Sequence, residues 1–149
     1  MPTARAAAAL LAGLVLAAPA GPAAAGETAT EAGRAAYMED CAVCHGRDGT
    51  GEGPLAMFLK TAPTDLTALA RRNGGRFPFE RAWRVIDGRV PVEGHGPSEM
   101  PVWGREYRAE ALAEGWGGGF FGPVETEVIV AGRILQLIRH LEAIQAEGG

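Results

Sequence analysis

The residues whose types and spacing carry the most chemistry are Cys41-Ala42-Val43-Cys44-His45. Two thiols three positions apart, with an imidazole directly after the second, form the pattern of covalent c-type haem attachment. Each thiol adds across one vinyl group to give a thioether, and the imidazole ligates the iron. Rival chemistries fit less well. Cys41 and Cys44 are the only cysteines, so a four-cysteine zinc site is excluded, and a mixed site would have to recruit His95 or His140. A thioredoxin-like dithiol belongs beside a βαβ pattern, which is not visible here. A local disulfide, the ordinary state of two cysteines in an oxidising compartment, leaves His45 without a role.

A low-spin electron-transfer haem takes a second axial ligand, usually thioether or imidazole. Met100 lies 55 residues after His45 and precedes Pro101, which disfavours helix at position 100 and favours an extended approach. The Gly/Pro-rich stretch from Val90 to Pro101 is placed to wrap the far haem face. His95, in the same stretch, is the competing ligand. Met38 and Met57 flank the attachment motif and read as packing residues. His140 reads as a residue that caps or lines the surface of the last helix. Trp83, Arg84 and Arg76 are candidates to hydrogen-bond the haem carboxylates, against the plainer alternative of a buried indole and surface guanidinia.

The elements that must position these groups are helical, separated by Gly/Pro-rich loops, with no internal repeat and no run of alternating strand residues. Thr28 and Glu31 form a capping-box signature that predicts a helix from about Ala29. On it, Gly33, Tyr37, Cys41 and Cys44 share one side. Val130, Ile134, Leu137, Ile138, Leu141 and Ile144 make the apolar stripe of a last helix, with Thr126 and Glu127 at its start and Gly148-Gly149 at its frayed end. Gly33 would let the two terminal helices cross closely, unless it is merely a weak helix residue. Between them, Asp65 to Arg72 predicts a short capped helix stopped by Asn73-Gly74-Gly75. Pro78 to Asp87 predicts another, with Phe79, Trp83 and Ile86 at helical spacing and Gly88 after its end.

The first 25 residues set the compartment. Arg5 precedes an apolar run from Ala6 to Ala18, and Ala23-Ala24-Ala25 supplies a small-residue cleavage pattern, with an earlier cut after Ala20 as the alternative. The run is short for a membrane span, so residues 1–25 read as a secretory signal peptide and residues 26–149 as one exported domain. That domain of 124 residues carries a net charge of −5. The charge is uneven. Six arginines and two acids between Arg71 and Arg89 give +4, leaving −9 elsewhere. Such asymmetry orients a docking partner or simply solvates a surface. Nucleic acid is not an expected partner for an exported acidic chain.

Taken together, the C-x-x-C-H motif at 41–45, Gly33 and Tyr37 before it, Gly53-Pro54-Leu55 after it, Met100-Pro101 and the apolar last helix resemble a class I monohaem c-type cytochrome over nearly all of residues 26–149. The resemblance implies an all-α cytochrome c fold, three to five helices around one covalently attached haem c, with crossed N- and C-terminal helices. It further implies that Gly33 and Tyr37 stand at that crossing and that the Pro54 carbonyl accepts a hydrogen bond from His45 Nδ1–H. Two departures are visible. His140 stands where family members often carry an aromatic residue. Residues 103–124 read as a Gly/aromatic-rich loop insertion, with Trp116, Phe120 and Phe121 either folded onto the core or exposed to a redox partner.

The reading that follows is a soluble periplasmic one-electron carrier with His45/Met100 ligation. It is not an enzyme, it works as a monomer or in transient complexes, and it meets a donor and an acceptor protein. The alternatives are a dedicated haem subunit or acceptor of one exported dehydrogenase, and an open-site haem enzyme or gas sensor.

Overall fold

A computed structural model describes residues 22–88, 100–119 and 122–146. All regular structure among them is helical: α1 (Pro22–Asp40), α2 (Ala42–His45), α3 (Leu69–Arg72), α4 (Phe79–Asp87), α5 (Trp103–Ala113) and α6 (Pro123–Ala143), with 3-10 turns at Ala56–Phe58 and Leu66–Ala68. The expected all-α arrangement, with the terminal helices packed on each other, is present. Among the described residues no helix is long and apolar enough to cross a membrane.

The frame is the crossing of α1 and α6. A Cβ on Gly33 would stand 1.9 Å from the Gln136 carbonyl oxygen and 2.6 Å from its carbon. Only hydrogen at that position lets the two backbones approach so closely. Beside the crossing, Tyr37, Ile134, Leu137 and Ile138 are almost wholly buried. The predicted stripe of α6 is therefore the core stripe. The helix begins three residues earlier than expected, with Pro123 in its first turn, where a missing N–H costs nothing. It ends at Ala143 rather than near Gly148. There the Gln145 amide donates to the Leu141 and Leu66 carbonyls (2.7 and 2.8 Å) and accepts from Ala70 N–H (2.8 Å), tying the end of α6 to the 66–70 segment.

The first helix runs from Pro22, not from a cap at Thr28, and Glu31 instead faces Arg34 at 3.7 Å on the surface. The short helices follow their signals. Asp65 caps its turn by accepting from Thr67 N–H at 2.9 Å, and Gly88 ends α4 in the left-handed region at φ 82°.

One expectation fails over the first half of its range. Residues 103–113 are not part of a loop insertion, because Trp103–Ala113 is the eleven-residue helix α5. The run Ala109-Glu110-Ala111-Leu112-Ala113 consists of strong helix formers, and α5 buries Tyr107 and Ala111. Gly104 brings it close to α4, since a Cβ there would stand 2.2 Å from an Asp87 carboxylate oxygen. The true connection covers 114–122. Its Gly117 packs near Leu112 and Thr126, so the turn folds onto its own helices while Trp116 stays 50% exposed. Phe120 and Phe121 lie outside the described residues.

His140 also departs from expectation. It is buried, not on the surface, and its ring lies 5.0 Å from that of Tyr37 at 49°. The imidazole thus occupies the aromatic position at the helix crossing. Its Nε2 is buried and has no hydrogen-bond partner among the described residues. Burial, and secondarily the Arg34 charge, holds the ring below its ordinary 6.5, against a smaller opposing effect of Glu31. The folded state therefore binds fewer protons here than the unfolded state, and stability falls as pH drops below about 6.5. The expected slope is at most about 1.4 kcal/mol per pH unit for one proton. In denaturant titrations at pH 7 and pH 5, His140→Phe should lose less stability than wild type on acidification. Equal losses would show that His140 does not contribute.

Candidate haem site

The attachment motif is built by a break in the helix. After α1 ends at Asp40, Cys41 N–H still donates to the Tyr37 carbonyl at 2.9 Å, and Cys41 carbonyl accepts from His45 N–H at 2.9 Å to open α2. This turn places both sulfurs and the imidazole at one end of the α1–α6 frame. The stretch after it is clipped back on: Gly51 N–H donates to His45 carbonyl at 2.7 Å, and Gly53 N–H to Cys44 carbonyl at 3.0 Å. Tyr37 hydroxyl donates to Gly46 carbonyl at 2.7 Å and anchors the motif to the helix crossing.

Cys41, His45 and Met100 line one cleft of about 330 Å³, whose walls include Leu66, Leu69, Val85 and Leu137. Cys44 borders a smaller adjoining cavity together with Cys41, His45 and Met100. The two cysteines are not joined to each other. Burial pushes the Cys41 thiol up to about 12, with smaller contributions from Asp40 and Cys44, so it is uncharged at neutral pH. Trp103 lines both cavities beside Met100 and stacks on Tyr107 at 5.7 Å.

The backbone support of His45 differs from expectation. His45 Nδ1–H donates to the Thr64 carbonyl at 3.0 Å, not to that of Pro54. Pro54 is exposed, and Leu55 N–H to Val43 carbonyl at 2.9 Å holds its segment along α2, whereas Thr64 lines the cleft itself. The chemical consequence is unchanged. A carbonyl on Nδ1 fixes the proton there and leaves Nε2 as the metal-binding nitrogen.

The carboxylate candidates also move. Arg84 pairs with Glu80 at 2.9 Å on the outer face of α4, and Trp83 stacks on Phe79 at 6.2 Å. Neither lines the cleft. Arg72, Asn73 and Arg81 do, and all three are exposed at its rim. Sequence reasoning missed Arg81, which carries no signal of its own among the six arginines of 71–89. Pro78, Arg81, Ala82 and Val85 recur at helical spacing on the cleft side of α4, whereas Arg84 falls on another face. Arg76 is exposed and its carbonyl accepts from the Asn73 side chain at 2.8 Å. His95 lies outside the described residues, so Met100 is the one distal candidate placed at the cleft. Met38 packs against the core as expected. Met57 does not: it is 82% exposed and Phe58 is 75% exposed, because their 3-10 turn sits on the outside of α2.

An apolar cleft and its adjoining cavity, which between them carry two thiols, an oriented imidazole, a thioether and a cationic rim, fit a flat apolar ring that carries a metal and carboxylates. A family model described as cytochrome c matches residues 30–117, more than half of the chain, and the chain belongs to the cytochrome c family. No curated protein and no solved structure gives a significant match. Membership implies covalently bound haem c and haem-based electron transfer with redox partners.

Proposed function

We propose that the chain is a soluble periplasmic one-electron carrier, with a single haem held by Cys41 and Cys44 and ligated by His45 and Met100. The observation that carries this reading is the presence of His45 and Met100 on one cleft with Cys41. The bound haem supplies one reversible electron, ferric to ferrous, with no substrate bond made or broken.

The chain's residues supply the rest. Thr64 carbonyl orients His45. Leu66, Leu69, Val85 and Leu137 keep water from the ring, and a low-dielectric surrounding disfavours the extra charge of the ferric state. Arg72, Asn73 and Arg81 stand where solvent-side carboxylates would be held, Arg81 taking the role first given to Arg84. Residues 1–25 serve as the export signal. A second reading, a dedicated subunit or acceptor of one exported dehydrogenase, draws on Met57 and Phe58, large apolar side chains exposed behind the attachment motif.

Expression with a c-type maturation system, fractionation and intact-mass measurement test the proposal. The expected product is a soluble periplasmic chain lacking its first 25 residues and carrying one haem. A tightly co-purifying dehydrogenase would favour the second reading. An unprocessed, membrane-bound chain would contradict the proposed localisation.

A further inference from the structure

Asp40 closes α1 and precedes Cys41. Its side chain borders the small cavity shared by Cys41, Cys44, His45 and Met100, and it is only partly buried, so solvent reaches it. Tyr107 hydroxyl donates to Asp40 Oδ2 at 2.6 Å. Tyr107 is itself buried and stacks on Trp103, which lines both cavities. One carboxylate therefore stands in the wall of the haem site, held by a buried phenol. Neither haem attachment nor iron ligation uses it.

We infer that Asp40 is a redox-linked proton site, its carboxylate taking up a proton when the haem takes up an electron. The inference rests on the proposed haem ligation. In the step, a reduced partner protein would supply one electron to the bound haem, and one proton from solvent would bond to the Asp40 carboxylate. Oxidation reverses both, and no other bond changes. The ferric site carries one more positive charge than the ferrous, so a nearby carboxylate favours the ferric form and is the stronger base once the iron is reduced.

The groups facing Asp40 set where this happens. Burial is the largest influence and raises its carboxyl above the ordinary 3.8; Glu39 on α1 and Glu110 on α5 act in the same direction. The Tyr107 hydrogen bond and Arg133 on α6 oppose them. Arg133 itself lies over the Tyr107 ring at 5.5 Å. In the holoprotein Cys41 and Cys44 are uncharged thioethers.

The test is redox titration of holo wild type, Asp40→Asn and Tyr107→Phe between about pH 4 and 8, each with its ferric spectrum. Wild type is expected to show a potential that falls with rising pH between the ferric-state and ferrous-state pKa values of Asp40. Asp40→Asn should lose that step and have the higher potential at neutral pH. Tyr107→Phe, which removes a hydrogen bond to the charged form, should move the step to higher pH. A step unchanged in Asp40→Asn would overturn the inference and place proton uptake elsewhere, such as the haem carboxylates. If Asp40→Asn does not mature, an unmoved step in Tyr107→Phe overturns it equally. The ferric spectrum separates the two failures. A wild type without the far-red methionine band refutes Met100 ligation, whereas a retained band with an unchanged step refutes only the role of Asp40.

Discussion

Met100→Ala holoprotein is expected to lose the weak far-red band of its ferric form and to show a lower reduction potential. The fall should be on the order of 0.1–0.2 V, a fraction of the ~0.8 V that axial ligation spans. A thioether ligand favours ferrous iron, so its removal stabilises the ferric state. Met100 is the one described candidate that borders both cavities alongside His45. Its side chain is only partly buried, so the variant should still fold and attach haem through Cys41 and Cys44. An absorption spectrum and a redox titration check this directly. An unchanged spectrum and potential would transfer the ligand role to His95.

Gly33→Ala is expected to destabilise the fold by roughly 3 kcal/mol, at the upper end of overpacking costs, because the obstructing atoms are backbone. The new Cβ would fall 1.9 Å from the Gln136 carbonyl oxygen and 3.1 Å from His140 Cβ. Neither helix can yield locally, so α1 and α6 must separate. The higher helix propensity of alanine, about 1 kcal/mol, does not offset this. Gly132→Ala is the matched control on α6. A Cβ there meets nothing within 4 Å among the described residues, so this change should stabilise by up to about 1 kcal/mol. Denaturant midpoints of the two holoproteins should therefore move in opposite directions. A Gly33→Ala protein as stable as wild type would refute the close crossing.

Particular residues show why parts of this architecture were legible in the sequence. Gly33, Tyr37 and the 130–144 stripe announced the helix crossing because burial leaves a 3.6-residue period. Asp65 and Gly88 announced helix ends because caps require particular residue types. The misreadings share a different cause. Any residue has a main-chain carbonyl, so nothing in the side chains distinguished Thr64 from Pro54 as the acceptor for His45. The choice depends on which loop reaches the cleft, set partly by Leu66 N–H donating to Gly49 carbonyl at 2.7 Å. Residues 103–113 were hidden by the glycines that follow them, although Ala109 to Ala113 are helix formers. Arg81 carries no signal of its own among the six arginines of 71–89; it is set apart from Arg84 only by the rotation of α4 about its axis, which turns Arg81, Ala82 and Val85 to the cleft. His140 looked like a surface residue because imidazole is polar, yet at a tight helix crossing its flat ring replaces an aromatic.

The proposed function requires a closed, six-coordinate haem that carries an electron without binding a substrate. Exposure of the ferrous holoprotein to carbon monoxide at neutral pH tests it most directly. With Met100 on the iron, the ferrous spectrum should remain essentially unchanged, while Met100→Ala binds the gas readily. Rapid, complete carbon monoxide binding by the wild-type protein would contradict the claim and indicate an open haem site.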